Sequence, residues 1–188
     1  MKKGLLLFLF IALVTTGAFA QISFGGDFGV GMVIPSDDYG TDGLNTIGFP
    51  ISVKAMYDLP MTIPVEGFGE AKVAAGFMTG YTINLFGVTD MFSVSSIPVL
   101  ALAHLTVSPI YIDIAAGIHI TSTAAQSDAY EGGTDWGIAA ATEVGYAHPL
   151  TDNLTLQGGF RYSTLGYGEN LFDLLHQIGL VAGVNYRL

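Results

Sequence analysis

What most limits the folds open to this chain is a period-two alternation of apolar with small or polar residues. It recurs in eight segments, and beyond the N-terminus no apolar run is long enough for a spanning helix. Successive side chains of a strand point to opposite faces, so each segment reads as a strand with one greasy face. In the first, Ile22, Phe24, Phe28, Val30, Met32 and Ile34 alternate with Ser23, Gly25, Asp27, Gly29 and Gly31. The second sets Ile47, Phe49, Ile51, Val53, Ala55 and Tyr57 against Gly48, Pro50, Ser52 and Lys54. The third sets Val65, Ala71, Val73, Ala75 and Phe77 against Glu66, Glu70, Lys72 and Gly76. The fifth is the cleanest, with Ile110, Ile112, Ile114, Ile118 and Ile120 facing away from Tyr111, Asp113, Gly117 and His119. The sixth carries Trp136, Ile138, Val144 and Tyr146 opposite Gly137, Glu143 and Gly145, and the seventh Leu154, Leu156, Phe160 and Tyr162 opposite Gln157, Gly159 and Arg161. The eighth ends on Ile178, Leu180, Val184, Tyr186 and Leu188 against Gln177, Gly183, Asn185 and Arg187. Only the fourth, Ser93 to Val107, is ambiguous, because Leu100 and Leu102 fall on its otherwise polar side.

The connections alternate in length. Long ones are expected at Pro35–Thr46, Gly80–Phe92, Ser122–Thr134 and Leu165–Asp173; short ones at Asp58–Pro64, Ser108-Pro109 and His148–Asn153. Long loops at one end and tight turns at the other, on an even number of antiparallel strands, are the plan of an outer-membrane barrel. The expected fold is all-β: an eight-stranded antiparallel up-and-down transmembrane β-barrel. A soluble barrel with its greasy face inward is the competing architecture. Charge placement opposes it, since a solvent-facing surface would carry more charge and less Gly and Ala. Lys54, Lys72, Arg161 and Arg187 all fall on the small-and-polar face, as do Asp27, Glu66, Glu70, Asp113 and Glu143. In a narrow interior these near-balanced charges are expected to form a lumen network that also includes His104 and His119.

Composition agrees. Half the residues are hydrophobic, only 12% are charged, and sixteen acids against six bases give a formal charge of −10, which excludes a nucleic-acid partner. There is no cysteine, hence no disulfide framework. Residues 1–20 have the form of a signal peptide: Lys2-Lys3, an apolar run from Gly4 to Val14, and a small-x-small site ending at Ala20. The barrel domain is then expected over 21–188.

On these residues the chain resembles the small eight-stranded outer-membrane barrels of OmpA/OmpX type. The turn Tyr146-Ala147-His148-Pro149-Leu150-Thr151-Asp152-Asn153-Leu154 is similar to one common in that superfamily, and so is the finish Gly183-Val184-Asn185-Tyr186-Arg187-Leu188. The resemblance implies residence in the bacterial outer membrane, with lipid as the surrounding partner. It also implies that Val184, Tyr186 and Leu188 form the signal read by the barrel-assembly machinery, although Leu188 replaces the commoner terminal Phe.

Function is less legible. If Ser108-Pro109 is a two-residue turn, His104 faces Asp113 and His119 faces Pro98. A His–Asp pair can orient a base, but no spacing places a nucleophile beside it. Lys54 is expected diagonal to Glu66 or Glu70. The long loops hold an acidic cluster, Asp37, Asp38, Asp42, Asp128, Glu131 and Asp135, and no Lys or Arg. No catalytic residue, metal or cofactor is expected. The reading is a non-enzymatic barrel with an envelope-structural or surface-interaction role through those loops, whose ligand is unknown. A narrow channel for small or hydrophobic solutes is the alternative, and a lipid A-modifying enzyme the third.

Overall fold

A computed structural model describes residues 22–34, 46–86, 92–125, 133–166 and 174–188. Residues 1–20 and the loop acids Asp37, Asp38, Asp42, Asp128 and Glu131 lie outside the described residues. The strands are β1 (Ile22–Ile34), β2 (Ile47–Val65), β3 (Gly69–Phe86), β4 (Phe92–Val107), β5 (Ile110–Ala125), β6 (Thr134–Pro149), β7 (Leu154–Gly166) and β8 (Leu174–Arg187). Each pairs antiparallel with its chain neighbours, and β1 pairs with β8 to close the barrel.

Register fixes the shape. Following partners from Ile22 through Tyr57, Ala75, Ala103, Ile114, Thr142, Tyr162 and Ile178 leads back to β1 at Met32 rather than Ile22. One circuit therefore climbs ten residues along β1. With strands about 4.8 Å apart and about 3.3 Å per residue, that stagger tilts the strands by roughly 40° and gives a backbone radius of about 8 Å. Such a cylinder is filled by its own side chains.

The alternation sorts those side chains as the pleat requires. Ile51, Val53, Ile97, Val99, Ile114, Ile118, Phe160 and Leu180 all project outward and are exposed. Their contiguity is a belt only lipid can cover without cost. Phe24, Tyr146 and Tyr186 gather near the end where β1 begins and β8 finishes, with Phe24 opposite Tyr186. Trp136 marks the other rim at 67% exposure. Phe77 pairs with Ala55 and Ala101 well down the wall.

Leu100 and Leu102 resolve the ambiguity of β4. They point inward, at 2% and 3% exposure, in a cluster with Met56, Met78, Ala115 and Ala139. At the height of Leu100 the β3–β4 wall of the interior is thus apolar, while the buried ions stand on β1, β2, β5, β6 and β7. Tyr111 explains two glycines. It stands in register with Gly145, which pairs in turn with Gly159. A Cβ on Gly145 would lie 2.5 Å from the Gly158 carbonyl oxygen and 2.6 Å from ring atoms of Tyr111, and one on Gly159 would lie 2.5 Å from the Val144 carbonyl oxygen and 3.1 Å from the Tyr111 hydroxyl. The bare backbone is what lets the phenol cross two strands.

The β2–β3 hairpin departs from expectation. Its turn is Glu66-Gly67-Phe68, not Asp58–Pro64, and positive φ angles are taken by Gly67 (80°) within the turn and Gly69 (98°) at the start of β3. Pairing of β2 with β1 ends at Tyr57, and pairing of β3 with β4 begins at Lys72. A register shift lies between Asp58 and Thr62. Beyond it the hairpin is a free two-stranded ribbon standing out from the inner end of the barrel, with Met61, Ile63 and Phe68 exposed. The other expected loops shorten too, as β3 continues to Phe86 and β5 to Ala125.

Candidate functional site in the barrel lumen

Five strands contribute charge to one tier of the interior. Inward positions on β1, β2, β5, β6 and β7 place Asp27, Lys54, Asp113, Glu143 and Arg161 at neighbouring heights, all buried or nearly so. Lys54 Nζ is 3.1 Å from Asp27 Oδ2, 2.7 Å from Asp113 Oδ2 and 3.3 Å from Glu143 Oε2. Arg161 Nη2 is 2.7 Å from Asp27 Oδ1 and 2.5 Å from Glu143 Oε2, and its Nε donates to the same Glu143 oxygen at 2.9 Å. Ser52 ties the two halves together, donating to Asp27 Oδ1 at 2.5 Å and accepting from Arg161 Nη1 at 3.1 Å. The Tyr111 hydroxyl donates to Glu143. Two cations thus face three carboxylates, and every one of the five groups is paired. At the level of Lys54 the β3 and β4 wall offers Met78 and Leu100 instead of charge. Unpaired, any of these ions would be severely destabilising in such surroundings.

His104 extends the tier toward the inner end. The Ser108-Pro109 turn sets His104 opposite Asp113 and His119 opposite Pro98, as the two-residue turn requires. His104 Nδ1 donates to Asp113 Oδ1 at 2.5 Å, its Nε2 lies 2.7 Å from Thr106 Oγ1, and its ring stacks on Tyr111 at 5.8 Å. Asp113, His104 and Thr106 therefore have the order acid, imidazole, hydroxyl. Acyl transfer also needs donors aimed at a developing oxyanion. The backbone N–H groups at this level are spent on the sheet ladder, and Asp113 is shared with Lys54.

Several expected members of the network lie elsewhere. Glu66 is in the hairpin turn, and Glu70 and Lys72 are exposed where the hairpin leaves the barrel. Lys54 is therefore not diagonal to either acid; its partner in register is Met78. Arg187 pairs with Asp58 at the inner mouth, with side-chain exposures of 38% and 28%. His119 is fully buried, but its Nε2 donates to the Gly166 carbonyl at 2.6 Å in the outer part of the lumen, remote in register from the ionic tier. Asp135 is not in a loop but in β6, where it accepts from the Trp136 N–H at 2.7 Å. Val184, Tyr186 and Leu188 project outward from the last strand. Ser52, Tyr111 and Thr106 were not anticipated. Tyr111 was signalled by the two glycines across from it, whereas nothing in the sequence singles out Ser52.

Space in the lumen is unevenly divided. Below the ionic tier a polar vestibule of ≈ 270 Å³ opens at the inner end, with His104 and Thr106 in its wall. A cleft of ≈ 320 Å³ adjoins it along the free hairpin. Above the tier, cavities of ≈ 30 Å³ and ≈ 10 Å³ lie against Arg161. Those hold a water molecule or two at most. On the outer surface, the Tyr162 hydroxyl is hydrogen-bonded to His176 Nδ1 at 2.8 Å, with Thr164 paired to His176 across the strands. No carboxylate orients that imidazole among the described residues.

An apolar belt outside, an ion-paired tier inside and a stagger of ten residues over eight strands define the outer-membrane β-barrel fold. The structure is similar to that of Neisserial surface protein A, at 17% identity and a TM-score of 0.60, over 90% of this chain and 99% of that one. Ail, the attachment invasion locus protein of Yersinia pestis, aligns at 15% identity and a TM-score of 0.47 over 90% of this chain and 97% of that chain. The N-terminal β-barrel domain of Pseudomonas aeruginosa OprF aligns at 15% and 0.41, over 88% and 97%. No protein-family model matches the chain, and no curated protein does. The fold is one of the bacterial outer membrane.

Proposed function

We propose that this chain is a non-enzymatic outer-membrane protein whose lumen is a structural plug and whose work is done at its ends. Its role on this reading is envelope-structural or surface interaction, with the acids of the extracellular segments as the contact groups. The observation that carries it is the closed ionic tier: Lys54 and Arg161 meet Asp27, Asp113 and Glu143 in mutual contact, and the cavities that lie against Arg161 above them are water-sized. The outward-facing Tyr162–His176 pair has no orienting acid among the described residues, which weighs against a lipid-modifying reaction. The outward placement of Val184, Tyr186 and Leu188 supports their reading as the assembly signal. Purified barrel in planar bilayers tests the central claim. The expected trace is silent at physiological voltages; a persistent single-channel current would establish the channel reading instead.

A further inference from the structure

The vestibule at the inner end is not explained by the plug above it. Its wall carries both signs of charge without internal neutralisation. Arg187 is taken by Asp58, but Lys72, Glu70 and Asp152 have no ion-pair partner among the described residues. Lys72 stands in register with Thr106 on the lumen side of β3 and borders both the ≈ 270 Å³ vestibule and the adjoining cleft. Asn185 contributes a carbonyl oxygen, Oδ1, that is shielded from solvent and accepts no hydrogen bond. Gln157, also in the wall, is buried and offers an amide of both polarities.

We propose that this vestibule binds a small zwitterion bearing an ammonium and a carboxylate, as amino acids and short peptides do. The carboxylate is taken by the Lys72 ammonium. The ligand's ammonium and amide N–H groups are met by the Glu70 and Asp152 carboxylates and the Gln157 amide oxygen. The free charge in the wall, one cation and two carboxylates, rejects a simple anion and leaves a lone cation without a use for Lys72. Size agrees, since the volume suits a molecule of dipeptide scale and lies just under the range of drug-sized pockets. The vestibule opens toward the inner end of the barrel, so the ligand arrives from the periplasmic side.

Isotope-labelled full-length barrel in micelles, titrated with diglycine, acetate and methylammonium, tests this. Saturable shifts are expected at the Asn185 and Gln157 side-chain amides and at the His104 ring with diglycine. Acetate or methylammonium alone should bind roughly tenfold or more weakly, as loss of a charged hydrogen bond implies. Lys72→Gln and Glu70→Gln, both at exposed positions, should each weaken diglycine by about the same factor while leaving the amide spectrum of the barrel intact. Absence of saturable shifts, binding of acetate as tightly as diglycine, or indifference to both substitutions would each overturn the assignment.

Discussion

Lys54 offers the sharpest test of what holds the lumen closed. Replacing it by Met keeps the length and apolar stem of the side chain and removes one charge. That charge faces Asp113 at 2.7 Å, Asp27 at 3.1 Å and Glu143 at 3.3 Å, with its side chain 2% exposed. At an effective dielectric of about 20, each attraction at this range is worth roughly 5 kcal/mol before desolvation and repulsion are subtracted. Desolvation of a buried ion costs several kcal/mol, and Arg161 repels Lys54, so the net loss is expected at about 3–5 kcal/mol. What remains is Asp27 and Glu143 on Arg161, with Asp113 left to His104 alone. Removing one of them as well, in Lys54→Met/Asp113→Asn, should recover at least ~1 kcal/mol, because the two sites are coupled. The comparison variant is Arg187→Ala, which breaks a half-exposed pair with Asp58 and should cost under ~1 kcal/mol. Equilibrium urea unfolding in phospholipid vesicles, followed by Trp136 fluorescence, gives all three values. A Lys54→Met barrel within about 1 kcal/mol of the parent would refute the reasoning, since the tier would then not be a coupled set of ions.

Three further outcomes follow from the outer and inner faces. Ile114→Arg puts a charge on the lipid face near mid-height and should cost about 2–4 kcal/mol in the same assay, where a solvent-facing site would show almost none. Gly145→Val drives a branched side chain into the Tyr111 ring, whose atoms already lie 2.6 Å from an ideal Cβ. It should cost about 1–3 kcal/mol and perturb the near-ultraviolet signal of the tyrosine; an unchanged signal would mean the ring does not lie over the glycine. Trp136 is the single tryptophan of the chain and sits at the outer rim, exposed. Lipids brominated near the headgroup should quench it more strongly than lipids brominated at the chain end, and the reverse order would misplace the rim.

The strand pattern could be read because a lipid-facing strand has no freedom to break its period. Leu100 and Leu102 were the exception, and their inward placement follows from an interior that is not uniformly polar. The register of β4 and β5 was equally legible, since a two-residue turn admits one pairing and put His104 opposite Asp113. The β2–β3 hairpin misled for a definable reason. Pro60 and Pro64 look like turn residues, yet they occupy a ribbon edge where no N–H is needed. The ionic tier was only half legible. Alternation showed which charges face inward, but Lys54 meets partners from β1, β5 and β6, and that choice depends on closure and stagger. No local spacing encodes it.

The free hairpin has a consequence for how molecules of this protein behave together. Past Tyr57 and before Lys72, both arms present backbone groups that no neighbouring strand engages. Such an open border is a template on which a second chain can add a strand. Here the β2 border contains Pro60 and Pro64, which cannot donate, and the β3 border carries the charged Glu70. The ribbon is thereby made a poor docking edge on both sides. Many copies can be crowded into one membrane, their inner ends close together, without zipping into a shared sheet.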